Sequence, residues 1–164
     1  MEIWDGYKKD GSLADCNLFR DEPFSDGLYH IVCEVLVKHV DGTYLLMQRD
    51  FNKDGFPGMF EAGASGSKLK GETPLESAIR ELKEETGIES NDLALVYVQS
   101  NMKHLFHYGY LCITNCGKDS IVLQKGETIG YKWLPRDEFI NYIINSQDFV
   151  APQKDRWLPF LSKI

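Results

Sequence analysis

A chain of 164 residues with 43% apolar and 26% charged residues is long enough to bury a sizeable core and needs no second domain, so residues 1–164 are expected to form a single domain. A net charge of −7 and a pI near 5.1 argue against long basic surfaces for duplex nucleic acid or anionic membrane, and leave a small phosphorylated ligand in a local cationic pocket as the expected partner. The N-terminus lacks the cationic lead and apolar run of a secretory signal, no later segment approaches a membrane span, and Cys16, Cys33, Cys112 and Cys116 lack paired spacing, so a cytoplasmic protein with four free thiols is expected.

Two short extended runs, Glu2–Lys8 and Leu13–Phe19, flank Lys9-Asp10-Gly11-Ser12, an Asp-Gly turn signal that predicts an N-terminal β-hairpin. Residues 19–27 are polar and bridge loosely to the next strand, and their Arg20 is a candidate for reaching a ligand. Tyr29–Val40 is rich in β-branched residues, and Asp41-Gly42 separates it from Tyr44–Arg49, which predicts two paired central strands. The second strand ends on Arg49, where a guanidinium could grip phosphate bidentately or pair with Asp50 or Asp54. Gly58–Gly66 is rich in small residues, as suits backbone that passes close to a metal and ligand.

The stretch 66–88 carries most of the chemistry. Thr73 can cap a helix whose first turn contains Pro74, Glu76 completes a capping box, and Gly87 supplies the stop. Leu75, Ala78, Ile79, Leu82 and the methyl of Thr86 are expected on one arc, with Glu81, Glu84 and Glu85 on another, well away from it. Like charges at this spacing repel, and carboxylates beside a Gly66–Gly71 loop whose carbonyls can come close suit a hard cation such as Mg²⁺ or Mn²⁺.

Gly66, then Glu72, then Arg80-Glu81-Leu82-x-Glu84-Glu85-x-Gly87-Ile88 resembles a complete Nudix box. Seven specified residue types at roughly 6–7% usage each, plus two aliphatic positions, make a chance match on the order of 10⁻⁸. The resemblance implies an α/β Nudix fold, a mixed β-sheet sandwiched between α-helices, with divalent metal held against a diphosphate. Trp4-Asp5, Gln48-Arg49, Pro57-Gly58 and Phe60 further resemble the branch containing isopentenyl-diphosphate isomerases. Where those enzymes carry a protonating cysteine and a metal-binding histidine, this chain has Ser65 and Ser67, which disfavours isomerase activity because a hydroxyl is a poorer acid than a thiol and no substitute for imidazole.

After the box, Asp92–Ser100 and His104–Thr114 read as strands joined near residues 101–103, with His104 and His107 on opposite faces and therefore not sharing a metal. Ile121–Leu123 reads as a short edge strand and Thr128–Leu134 as another, ended by Pro135. Glu127, in the loop before that strand, is the candidate for the remote acidic residue that several Nudix enzymes use as a metal ligand or base. Asp137–Asn145 has a helical apolar stripe, and the tail from Phe149 to Ile164, interrupted by Pro152 and Pro159, is at most a broken helix.

The resemblance implies metal-dependent hydrolysis of a phosphoanhydride bond in a nucleoside diphosphate derivative or related organic diphosphate. Its alternatives are an isopentenyl-diphosphate isomerase-like enzyme or a non-catalytic nucleotide-binding Nudix domain. Glu81, Glu84, Glu85 and the carbonyl of Ser65 would hold Mg²⁺ or Mn²⁺, with Glu81 or Glu84 as first-choice base and Glu127 as second. Arg49 and Arg20 would bind substrate, and Arg80 would pair with Glu72, Glu76 or Glu84 to hold the helix. Enzymes resembling the ADP-ribose class carry a proline past the box; none occurs here between Pro74 and Pro135, which disfavours that substrate. A homodimer is left open.

Overall fold

A computed structural model describes residues 1–101 and 103–164; Met102, within the connection expected near 101–103, lies outside the described residues. The elements run β1 (Ile3–Tyr7), β2 (Leu13–Phe19), β3 (His30–His39), β4 (Thr43–Arg49), β5 (Phe60–Ala62), β6 (Ala64–Ser67), α1 (Pro74–Thr86), β7 (Leu93–Ser100), β8 (Leu105–Thr114), β9 (Thr128–Pro135), α2 (Arg136–Asn145) and α3 (Ala151–Trp157). The N-terminal hairpin forms as expected, a separate antiparallel pair with Trp4 opposite Leu18. The larger sheet is mixed: β3 runs parallel to β8, and its other pairings are antiparallel.

Alternation along the two central strands builds the layers. On β3, Cys33, Val35 and Val37 join Leu45 and Met47 of β4 in a core closed by Ala78 and Leu82 of α1. The intervening Leu36, Tyr44 and Leu46 face the other way, into a second core with Phe139, Ile143 and Trp157 from α2 and α3. The sheet is thus covered by helices on both faces. Among the described residues no helix is long and apolar enough to cross a membrane.

Two expectations are corrected, the 121–123 strand and the placement of His104, and two gain detail, the β3–β4 pairing and the tail helix. β3 and β4 do pair, but only at Lys38–Tyr44, because β6 takes the rest of that edge of β3 through Val32–Val35. Residues 121–123 form no strand; a 3₁₀ turn at Lys118–Ser120 precedes them, and Val122 donates its N–H to the Thr86 carbonyl, continuing beyond the end of α1. The tail holds one helix, since Pro152 falls in its first turn, where a missing N–H costs nothing, and Pro159 lies beyond its end. His104 precedes β8 in a left-handed conformation, φ 60°, so the odd-spacing argument does not reach it. His104 stacks on Tyr29 and bonds the Leu28 carbonyl, whereas His107 bonds the Asn101 amide.

The divergence of β5–β4 from β6–β3 turns on Gly63, which has φ 62° and donates its N–H to the Leu45 carbonyl. A Cβ there would sit 1.9 Å from the Val35 carbonyl oxygen. Gly63→Ala is expected to lower the unfolding free energy by about 3 kcal/mol or more in urea titrations, from steric overlap and left-handed strain together. Gly42→Ala, in a turn with φ 90° and open space around the site, should cost only about 1 kcal/mol.

Candidate active site

Helix α1 starts and stops as its sequence requires: Thr73 Oγ1 accepts from the Glu76 N–H, the Glu76 carboxylate accepts from the Thr73 N–H, and Gly87 ends it in a left-handed cap. Its faces differ from the expectation in two places. Leu75 is exposed and Glu85 is buried. Seven residues are two turns less about 20°, so Glu85 stands almost directly above the core residue Ala78, and only Glu81 and Glu84 lie off the core arc.

The expected site residues meet at one cavity of about 390 Å³, whose wall includes Arg20, Arg49, Ser65, Glu81, Glu84, Glu85 and Glu127. Glu85 is 3% exposed and accepts from the Ser65 N–H at 3.0 Å. Burial, with Glu61 and Glu81 nearby, holds its carboxyl well above the ordinary carboxylate range. Burial likewise lifts Glu81 to about 7, against the pull of Arg80. Gly66 permits this packing, because a Cβ there would fall 2.1 Å from the Glu81 carboxyl carbon.

Arg80 holds the acidic face together. It bonds Glu72 through Nε at 2.7 Å and Nη2 at 3.0 Å, Glu81 through Nη1 at 2.6 Å, Glu84 at 3.2 Å and the Ser67 carbonyl at 3.0 Å. Of the three alternative partners expected for Arg80, Glu72 and Glu84 are taken, while Glu76 is spent on the capping box. Burial works against the Arg80 cation, yet Glu72 and Glu81 raise its pKa further above its ordinary value.

The other cations that line the cavity are also anchored. Arg49 pairs with Glu61 at 2.7 Å, not with Asp50 or Asp54, and donates Nε–H to the Gly55 carbonyl. Arg20 pairs with Glu2 at the exposed rim. Glu127 forms an ion pair with Lys53, whose ammonium the loop after β4 brings to the same wall. Trp4 of the hairpin stacks on His30, ring centroids 4.4 Å apart, and both line the cavity.

Sequence reasoning missed Glu2, Trp4, His30, Lys53 and Glu61 as parts of this region. Of these Glu61 carried a signal, a lone carboxylate in a run of small residues; it is 2% exposed and accepts from Arg49, Ser65 Oγ and the Gln153 amide.

The donor set is all oxygen, which suits a hard cation. Among the described residues, no three His, Cys, Asp or Glu side chains converge with metal-holding geometry, since Arg80 draws Glu81 and Glu84 to itself. Two carboxyls raised by burial nevertheless fit a dication, which would stabilise their charged forms in place of a proton.

A carboxyl with a raised folded pKa binds its proton more tightly in the folded state, so its contribution to stability falls as pH rises from the unfolded value near 4.5 and levels off above the folded value near 7. His30 and His107, both lowered to about 4 chiefly by burial, impose the opposite slope and are common to wild type and variants. In chelator, Glu81→Gln is therefore expected to gain stability over wild type between pH 4.5 and 7, reaching roughly 1–3 kcal/mol, in urea titrations across that range. A difference independent of pH would contradict the burial-raised carboxyl.

The NUDIX domain family model matches residues 29–159. An uncharacterized Nudix hydrolase of Listeria monocytogenes is 29% identical over 154 residues, covering 92% of this chain and 89% of that protein. An isopentenyl-diphosphate Delta-isomerase of Salmonella heidelberg is 27% identical over 110 residues, covering 63% of this chain and 61% of the isomerase. The crystal structure of DR0079 from Deinococcus radiodurans superposes with a TM-score of 0.77 at 18% identity, covering 94% of this chain and 98% of that one. With a matched model spanning the larger sheet, α1 and all of the cavity wall except Glu2, Trp4 and Arg20, the chain belongs to the Nudix family and is a hydrolase of its pyrophosphohydrolase type.

Proposed function

We propose that this protein hydrolyses a phosphoanhydride bond in a nucleoside diphosphate derivative or related organic diphosphate, with Mg²⁺ or Mn²⁺ held by Glu81, Glu85 and Glu84 and by the Ser65 carbonyl. The observation that carries the reading is one cavity lined both by the carboxylates of buried Glu85 and part-buried Glu81 and by the cations Arg20, Arg49 and Lys53. Carboxylates and cations lining one cavity suit a ligand whose phosphates meet the cations directly and the carboxylates through a dication. When bound, the dication supplies Lewis acidity to the phosphoryl oxygens and lowers the pKa of water.

The chain's own residues perform the remaining tasks. Arg49, braced by Glu61, presents a fixed guanidinium to phosphate, and Arg20 adds charge at the rim. Arg80 keeps α1 and the loop in register through Glu72 and the Ser67 carbonyl, and does not react. Glu81 is the first-choice base for the attacking water; Glu84 shares its arginine and is the alternative, with Glu127 after it. Isomerisation finds no support at Ser65, whose hydroxyl donates to Glu61, or at Ser67, whose hydroxyl bonds His30. Residues 1–164 act as one unit in this reading, since Trp4 of the hairpin helps to wall the cavity. A soluble nucleotide-derived substrate also suits the cytoplasm.

Incubation with Mg²⁺ or Mn²⁺ and a panel of diphosphate compounds, with products identified by mass, is expected to show water added across a P–O–P bond. Glu81→Gln and Glu85→Gln should each lower turnover by about 100-fold or more, while the melt in chelator stays unchanged or rises. Metal-dependent turnover retained in both variants would remove the assignment, and ligand binding without consumption would point to a non-catalytic domain.

A further inference from the structure

β5 is the end strand of its row, with β4 on one side and the C-terminal segment on the other. Phe60 donates its N–H to the Asp148 carbonyl at 2.7 Å, and Val150 donates to the Phe60 carbonyl at 2.9 Å, so residues 148–150 pair with β5 as a short parallel strand would. Ala62, two residues on, directs its N–H to the same side, but by then the chain has turned into α3. Ala62 is fully buried, and an unpartnered N–H there would be costly. Gln153 Oε1 takes it, accepting at 2.9 Å.

That bond decides what the other end of the amide does. With Oε1 on an N–H, Nε2 faces Glu61 and donates to its Oε2 at 3.1 Å. The reverse orientation would set NH₂ against N–H and a carbonyl against a carboxylate, so the amide has one arrangement. A glutamate at this position would keep the acceptor and lose the donor; a lysine would do the opposite. Gln153 and Glu61 are both buried, and α3 is pinned one turn further on by Arg156, whose guanidinium grips Glu34 of β3.

Glu61 carries this anchorage to the candidate site. Its Oε1 accepts from Arg49 Nη1 at 2.7 Å, and its Oε2 also accepts from Ser65 Oγ at 2.6 Å. The terminal torsion of a glutamate is broad, so two partners on side chains leave the plane of the carboxylate some freedom. A third donor, projecting from a pinned helix, removes it. Neither Glu61 nor Gln153 lines the cavity that Arg49 and Ser65 border, so both act on a bound phosphate only through those residues.

We propose that Gln153 is a positioning residue for the phosphoanhydride reaction: from the C-terminal helix it fixes the plane of the Glu61 carboxylate, and through Glu61 the direction in which Arg49 meets phosphate. The assignment rests on the hydrolytic reading above.

Two variants separate this role from that of a cap on the edge of β5. Gln153→Glu retains an acceptor for the Ala62 N–H and loses the donor to Glu61, whereas Gln153→Leu loses both. KM for a diphosphate substrate is expected to rise about tenfold in each, with kcat changed less than about threefold, and calorimetric binding of methylenediphosphonate in chelator should weaken by a similar factor. In an Arg49→Ala background, Gln153→Leu should add less than about twofold to KM, because the group that transmits the effect is gone. The Arg49 Nε–H, held by the Gly55 carbonyl, is expected to exchange with solvent about tenfold faster by NMR in both single variants. Binding, KM and exchange like wild type in Gln153→Glu would overturn the proposal, since the Ala62 bond would then be the whole role. A full tenfold rise in KM on the Arg49→Ala background would also overturn it, as the mark of a general effect on the fold. Should Gln153→Leu not fold, Gln153→Glu decides through binding and exchange. If wild type cleaves no diphosphate with either metal, the hydrolytic reading fails by itself, and the exchange of the Arg49 Nε–H, which needs neither metal nor turnover, still decides whether Gln153 positions Arg49.

Discussion

Two carboxyl groups held away from water between a helix and a strand set the terms for the rest of this molecule. Glu85 reaches the Ser65 N–H from within the core face of α1, and Glu81 lies where any side chain at position 66 would intrude. Taking such groups out of water raises the free energy of their charged forms, and the fold supplies only partial relief through one backbone N–H and one arginine. In the proposed reading, a dication held against phosphate supplies the missing counter-charge.

The surroundings can be understood as devices that hold this arrangement in place. Gly63 lets β5 and β6 separate, so that β6 follows β3 and carries Ser65 and Gly66 to α1 while β5 follows β4 and carries Glu61 behind them. The hairpin is tied to the loop before α1 by Asp5, which accepts from the buried Lys68 at 2.7 Å and from the Gly71 N–H at 2.9 Å. That anchorage puts Trp4 on His30 and makes the N-terminal residues a wall of the cavity. Arg49 borders the cavity in a set direction, since Glu61 and Gly55 fix two of its nitrogens and leave its orientation little freedom.

Local rules succeeded where neighbours in sequence decide the outcome. The Thr73–Glu76 capping box, the Gly87 stop, the hairpin around Asp10-Gly11 and the alternation of β3 all follow from contacts within a few residues. They failed where a distant element intervened. β6 displaced β4 from most of one edge of β3, and the 121–123 run was taken up by the end of α1 instead of a sheet edge. Glu85 was misplaced for a different reason: its charge suggested solvent, although its seven-residue spacing from Ala78 already put it on the core face.

By itself the amino-acid order determined the box, its helix and the chemical types that would face a cation, because capping, helical period and turn preference act over one or two turns of chain. Only the tertiary structure decided that Glu61 stands behind Ser65, that Lys53 answers Glu127, and that Gln153 reaches Glu61 from α3. Those partners are 4, 74 and 92 residues apart along the chain. Charge compensation and cavity shape depend on distance through space, which packing of the two helical layers onto one sheet establishes and which no local periodicity encodes.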